Sequence, residues 1–230
     1  MFVISCKYTP ISNYIIDLVQ DIRQFHQQDK IVIVDSESED KSYFEYLEKY
    51  NVIIEDINNK NWMIGAYWHT YKKYPFEDFY FFMHDSMRVK ENLNFIKEQE
   101  LTLMCYFDRN VCQSFNSWAD IIKKTTTLNY KTDGLGCYGP IFFCKNIVMQ
   151  KLLQLKVDTI LPINKIGVGA AEGAYGFFFE ELGYNLMKCS LFGDVLVNES
   201  VYGKSGPYPH NTTWQFPIEK FYGNKDKARQ

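Results

Sequence analysis

One stretch constrains this chain more than any other: Asp78-Phe79-Tyr80-Phe81-Phe82-Met83-His84-Asp85-Ser86-Met87. An unbroken aromatic run of this kind leaves no face for water. It predicts a central strand buried on both sides, as in a sheet covered by helices. The run stops abruptly at the polar triplet His84-Asp85-Ser86. Open α/β sheets bind their ligands outside the carboxyl ends of the strands. The triplet therefore reads either as an ordinary turn, which Asp favours, or as a metal or phosphate site.

The flanking sequence supplies the rest of such a sheet. Phe2 to Cys6 is a short apolar run, and Ile31-Val32-Ile33-Val34 and Val52-Ile53-Ile54 are two more. Between them, Ile11, Tyr14, Ile15, Leu18, Val19, Ile22 and Phe25 recur at steps of three and four, which predicts an amphipathic helix started by Thr9-Pro10. Tyr43 to Tyr50 forms a second helix, and Asn61 to Tyr74 a third, ended by Pro75. Strands alternating with helices imply right-handed crossovers and a mainly parallel sheet. A helix over Asn92 to Gln99 and a strand over Leu101 to Phe107 complete a nucleotide-binding half, 1–107.

The remaining stretch, 108–230, is less regular. Short helices are expected at Ser117 to Lys124 and Ile147 to Leu155, and a strand at Ile141 to Cys144. Gly167-Val168-Gly169-Ala170-Ala171-Glu172-Gly173 reads as a flexible loop opening a helix from Ala174 to Leu182, and Asn185 to Leu191 as an edge strand. At 230 residues with 46% hydrophobic content, one α/β domain can bury a large core without staples.

Composition narrows the chemistry. A net charge of −3 without a Lys/Arg block argues against nucleic acid as a partner. No apolar stretch reaches the length of a membrane span. The six cysteines lack Cys-x-x-Cys spacing and sit mostly in apolar runs, so they read as reduced core residues of a cytoplasmic protein. His26 and His69 show no metal-ligand spacing with each other, which argues against zinc. No Gly-x-Ser-x-Gly elbow, Gly-Lys-Ser/Thr P-loop or Gly-x-Gly-x-x-Gly fingerprint is present.

Two polar stretches follow consecutive strands: Ser5-Cys6-Lys7 and Asp35-Ser36-Glu37. On a parallel sheet they become neighbours on one rim, where backbone amides and a carboxylate could hold a base and a ribose. Ordinary polar strand ends explain them equally well. Downstream, Asp133-Gly134-Leu135-Gly136-Cys137-Tyr138-Gly139-Pro140 is a Gly-rich loop running into a strand, and Trp118, Tyr138, Tyr208 and Trp214 could stack on sugar faces or belong to the core.

The order of these features resembles the GT-A class of nucleotide-sugar glycosyltransferases. Two strand–helix units come first, then a helix opening with Asn61 and carrying Gly65-Ala66, then an apolar strand ending in an acidic triplet. The resemblance implies a Rossmann-like sheet and a donor that is a nucleoside diphosphate sugar, with a uridine diphosphate sugar favoured. It implies a divalent ion, manganese or magnesium, held by an Asp-x-Asp motif. Here only Asp85 of the triplet is a carboxylate, with His84 and Ser86 beside it. By the same resemblance His210 is the candidate for a late second metal ligand, and Tyr138-Gly139 lines donor sugar and acceptor. Ser5, Lys7, Asp35, Ser36, Asn61 and Gly65 fall to the donor-binding side. Glu172 takes the place of the carboxylate that deprotonates an acceptor hydroxyl in inverting members, or orients it in retaining ones. The acceptor would be a glycan, lipid or protein. Two other readings stay open: a nucleotidyltransferase, and a transferase-like domain that only binds nucleotides or glycans.

Overall fold

In the computed structural model the aromatic run is β4 (Phe79–His84), and it lies inside a six-stranded sheet. The structure describes residues 1–8, 14–111, 113–129, 131–195 and 217–220. The main sheet uses β1 (Phe2–Cys6), β2 (Ile31–Ser36), β3 (Ile53–Ile57), β4, β6 (Leu101–Leu103) and β9 (Phe142–Lys145), in the order β3-β2-β1-β4-β9-β6. β3, β2, β1 and β4 are mutually parallel, and β9 runs antiparallel between β4 and β6. The order reverses at β1, so the crevice at its carboxyl end is the topological switch point.

Strand periodicity explains why the runs are apolar throughout. In β4, Tyr80 and Phe82 join one core cluster, and Phe79, Phe81 and Met83 the other. β1 and β2 divide the same way, with Val3, Val32 and Val34 on one face and Phe2, Ile4, Ile31 and Ile33 on the other. The first face packs under α3 (Trp62–Lys73), α5 (Asn146–Gln154) and α6 (Lys165–Glu181) through Tyr67, Trp68, Met149 and Phe178. The second packs under α1 (Tyr14–Phe25) and α2 (Tyr43–Glu48) through Leu18, Ile22 and Leu47. Helices on both faces of a mainly parallel sheet define the α/β class. No helix among the described residues is long and apolar enough to cross a membrane.

Several expectations are corrected in the irregular stretch. Leu101 to Phe107 is two strands: after β6 the chain leaves the main sheet at Met104-Cys105, and β7 (Tyr106–Asp108) pairs antiparallel with β8 (Leu135–Cys137). Asn92 to Gln99 contains a 3-10 turn over Asn94–Glu98, not an α-helix. Asn185 to Leu191 is no edge strand. The Asn185 carbonyl accepts from the Lys188 and Cys189 amides in a tight turn, and only a single bridge, Leu103 to Ser190, reaches β6. Above all, Gly167 to Gly173 is helix. α6 starts at Lys165 because the Asn164 side chain caps the Gly167 amide at 2.8 Å. Gly176 serves contact: a Cβ there would fall 2.1 Å from the Leu135 carbonyl oxygen and 2.5 Å from Gly136 Cα. α6 thus lies directly on the β8 backbone, and close packing offsets the roughly 1 kcal/mol that a helical glycine costs.

A short ribbon finishes the rim. β5 (Met87–Val89) follows the triplet at once and pairs antiparallel with β10 (Ile218–Lys220). β5 is fixed to α1 by Arg88, which donates to both carboxylate oxygens of Asp21, and by the Val89 amide, 3.2 Å from Asp21 Oδ2.

Candidate functional site

An open cleft of about 460 Å³ sits at the carboxyl ends of β1, β2 and β4. The end of β1 supplies Ser5, Cys6 and Lys7, and the end of β2 supplies Ser36 and Glu37. The β3–α3 connection supplies Asn59, Lys60, Trp62 and Met63. The end of β4 supplies His84, Asp85 and Ser86. The parallel register places Ser5 beside His84 and Cys6 beside Asp35, which gathers residues distant in sequence.

Asp85 reaches this rim and not the apolar interior. Its amide donates to the Ser5 carbonyl at 3.1 Å, and its Oδ2 accepts from the Lys7 amide at 3.2 Å. The Cys6 thiol lies beside the same carboxylate, and burial with that negative charge pushes the thiol well up. The cleft also holds backbone strain. Glu37 and Trp62 both adopt left-handed backbone angles, φ 57° and 50°, without being glycine. Such conformations cluster where the surrounding structure over-determines them, as at ligand sites. Trp62 keeps 39% of its surface exposed there, an available aromatic face.

Three of the residues expected on the donor side make contacts within the scaffold. Asp35 is fully buried, and both its oxygens are taken: Oδ1 accepts from the Ser38 amide at 2.9 Å, and Oδ2 from the Tyr43 hydroxyl at 2.6 Å. It ties β2 to α2 and does not line the cleft. Asn61 donates its side-chain amide to the Pro162 carbonyl at 2.9 Å, joining the start of α3 to the loop before α6. Gly65 makes room for Asn59, since a Cβ there would lie 2.1 Å from Asn59 Oδ1. Asn59 in turn donates to Ser36 Oγ at 3.0 Å and so sets the floor of the cleft. Trp118 is buried in the core, and Tyr138 packs edge-on against Phe107. His210, Tyr208 and Trp214 lie outside the described residues.

Glu172 projects from α6, half-buried, and accepts from the Gly139 amide. Burial pushes its carboxyl up to about 7, and that hydrogen bond offsets the shift only in part. Gly139, at φ 62°, lies against the end of β4, where a Cβ would come 3.8 Å from His84 Cε1. The Tyr138–Gly139 turn thus joins Glu172 to the triplet. Nearby, the Tyr67 hydroxyl is buried with no hydrogen-bond partner among the described residues, within electrostatic reach of Asp85. Glu180 has another duty: it accepts from Arg109 Nη1 at 2.6 Å and from the Leu135 amide at 3.0 Å, bracing the β7–β8 hairpin.

Sequence reasoning missed Trp62, Lys60 and, most consequentially, Lys220. β10 brings the Lys220 ammonium to 2.6 Å from Ser86 Oγ and 2.9 Å from His84 Nδ1. An ammonium only donates, so His84 Nδ1 accepts and the imidazole is neutral there. Asp85 is the one carboxylate of the triplet. The groups that would assist Asp85 already face a positive charge, and no three His, Cys, Asp or Glu side chains converge on a metal position among the described residues. A hard cation needs oxygen ligands, and of the triplet Asp85 offers a carboxylate and Ser86 a hydroxyl. The histidines away from the cleft are structural. His26 accepts the Leu93 amide at 2.9 Å and pairs with Asp29, and His69 lies 3.5 Å from Glu55.

No protein-family model matches the sequence, and no curated protein matches it. Among solved structures, the chain is similar to a cytidylyltransferase from Leptospira borgpetersenii serovar Hardjo-bovis (TM-score 0.44, 10% identity, 84% of this chain and 73% of that one). It is also similar to the bifunctional glycosyltransferase WbbM in its apo form (TM-score 0.40, 14% identity, 75% of this chain and 37% of that one). At these scores and identities the likenesses bear on neither substrate nor chemistry.

Proposed function

We propose that the protein transfers a sugar from a nucleoside diphosphate sugar to a hydroxyl acceptor. The observation that supports this most is the placement of two unlike carboxyl groups at one end of the sheet. Asp85 stands on the cleft rim, and Glu172, raised to about 7, is joined to it through Gly139 and His84. A carboxylate on the open rim accepts hydrogen bonds from ribose or sugar hydroxyls. A carboxyl group poised near neutrality suits general-base catalysis, where an ideal pKa lies near the working pH.

In the proposed reaction Trp62 offers its face to the base or sugar, and Ser5, Lys7 and Ser36 line the donor cleft. Glu172 takes the proton from the acceptor hydroxyl. The acceptor oxygen then bonds to the anomeric carbon as that carbon's bond to the diphosphate oxygen breaks, with the electron pair leaving on the diphosphate. Inversion of the anomeric centre follows from this scheme.

The test is a screen of uridine and guanosine diphosphate sugars by thermal shift and by slow donor hydrolysis, which needs no known acceptor. One donor should stabilise the fold and be hydrolysed. Asp85→Ala should abolish the stabilisation, and Glu172→Gln should keep it while lowering turnover by about 10²–10⁴-fold. Binding to no nucleotide, or full turnover in Glu172→Gln, refutes the reading.

A further inference from the structure

We infer that the protein docks on an anionic membrane surface through an apolar and basic patch at the mouth of the cleft, formed by Lys60, Trp62, Ile163, Lys165 and Ile166. The docking stands whether or not a sugar is transferred. On the transferase reading above it adds the class of acceptor, a hydroxyl carried by a lipid.

Two segments that the fold joins build the patch. One is the connection from β3 into α3, and the other is the loop that opens α6. The Asn61 side chain donates to the Pro162 carbonyl at 2.9 Å, so Trp62 and Ile163 each follow one end of the same bond. Ile163 is 82% exposed, Ile166 64% and Trp62 39%. The start of α6 does not require that exposure. Ile163 precedes the capping residue Asn164, the place from which an apolar side chain folds back onto the fourth residue of a helix, here Val168. Instead it stands in solvent. The backbone beneath it is fixed: Asn164 holds the Gly167 amide at 2.8 Å, and a Cβ on Gly167 would fall 3.2 Å from Cα of the buried Pro162.

Charge selects the partner. The chain carries −3 overall, yet segments 57–65 and 160–171 contain no Asp or Glu, and each carries one lysine. Both lysines are exposed. The acids that flank the two segments are engaged by other lysines, Asp56 by Lys41 and Asp158 by Lys72. Counting Lys7, Glu37 and Asp85 of the cleft as well still leaves a positive excess. Lysine is attracted to an anionic leaflet, the indole ring favours the headgroup level, and isoleucine favours the acyl boundary beneath it. A stable protein interface takes about 20–30 residues a side, whereas three apolar side chains among lysines suffice for shallow, reversible insertion into lipid. Because Lys60 and Trp62 also line the cleft, a bilayer seated here lies across its mouth. A headgroup hydroxyl then reaches the cleft without leaving the membrane.

The experiment sediments the full chain with vesicles of equal parts phosphatidylglycerol and phosphatidylcholine, and with vesicles of phosphatidylcholine alone. Wild type should partition onto the mixed vesicles in preference, and added salt should release it. Ile163→Ser/Ile166→Ser and Lys60→Gln/Lys165→Gln should each weaken partitioning by about tenfold or more. Phe76→Ser removes a side chain that is 94% exposed between α3 and β4, at the other end of the sheet, and should partition as wild type does. Thermal melts check that every variant keeps the fold. The isoleucine pair should leave hydrolysis of a soluble sugar nucleotide unaltered. The inference is overturned if wild type stays in solution with the mixed vesicles or if both double variants partition as wild type does. It is also overturned if ultracentrifugation shows that the two isoleucines hold two copies of the chain together. A protein that binds vesicles through these residues but turns over no donor sinks the transferase reading alone. One that hydrolyses a donor and ignores vesicles sinks the docking alone.

Discussion

At Glu172, burial works against charge. Its carboxyl is raised from 4.5 to about 7, so between those values the folded chain holds a proton that the unfolded chain releases. Stability contributed by the neutral form is therefore full below about 4.5 and declines as pH rises to 7. Glu172→Gln removes that decline. Its melting temperature should exceed that of wild type at pH 8 and match it near pH 4, as read by thermal melts across pH. If turnover depends on the same carboxylate, the wild-type rate should rise with pH and level off above about 7. A variant that is more stable and less active at pH 8 would mark strain kept for chemistry. Asp35 is the contrary case. Both of these acids were singled out in the sequence, yet one is consumed by Ser38 and Tyr43 while the other is held beside Gly139. Residue type could not separate them, because only the folded chain fixes which hydrogen-bond partners lie within reach.

At the scale of elements, strands were legible and the irregular stretch was not. β1, β2 and β4 are visible as apolar runs because both sheet faces are covered, so the signal is local and continuous. α6 is hidden because its glycines mimic a loop. Further along the helix, the β8 backbone approaches so closely that a side chain at Gly176 has no room. Gly176→Ala should therefore destabilise the fold, although alanine favours helix. Overpacking costs typically about 1–3 kcal/mol, and a clash with backbone atoms places this variant toward the upper end. Urea denaturation would check it, and a neutral or stabilising result would show that α6 can move off the hairpin. The split of Leu101 to Phe107 follows from pairing: Leu103 meets Phe142 in the main sheet, and Tyr106 meets Cys137 in another. Strand propensity alone carries no information about a partner.

For the whole molecule, the two halves drawn at 107 are interleaved. β9, from the later stretch, lies between β4 and β6 of the earlier one, and Phe142 and Phe143 pack against Phe82 and Phe81. The described chain should unfold in one transition. Phe142→Ala, which empties a fully buried position in contact with Tyr67, Phe82, Tyr175 and Phe179, should lower stability by about 3–5 kcal/mol without splitting that transition. Chemical denaturation followed by both far-ultraviolet circular dichroism and tryptophan fluorescence would show coincident curves, and separated curves would refute it. The sequence by itself determined that strands alternate with helices, that the sheet is buried on both faces, and that Asp85 ends its central strand. Those are properties of short segments, set by side-chain period and by where an apolar run stops. Only the tertiary structure decided that Asp35 is spent on the scaffold, that Glu172 meets Gly139, and that Lys220 arrives 134 residues after Ser86 to sit against it. Such contacts depend on which strands pair and which helices cover them, and that choice is made by the packing of the whole chain.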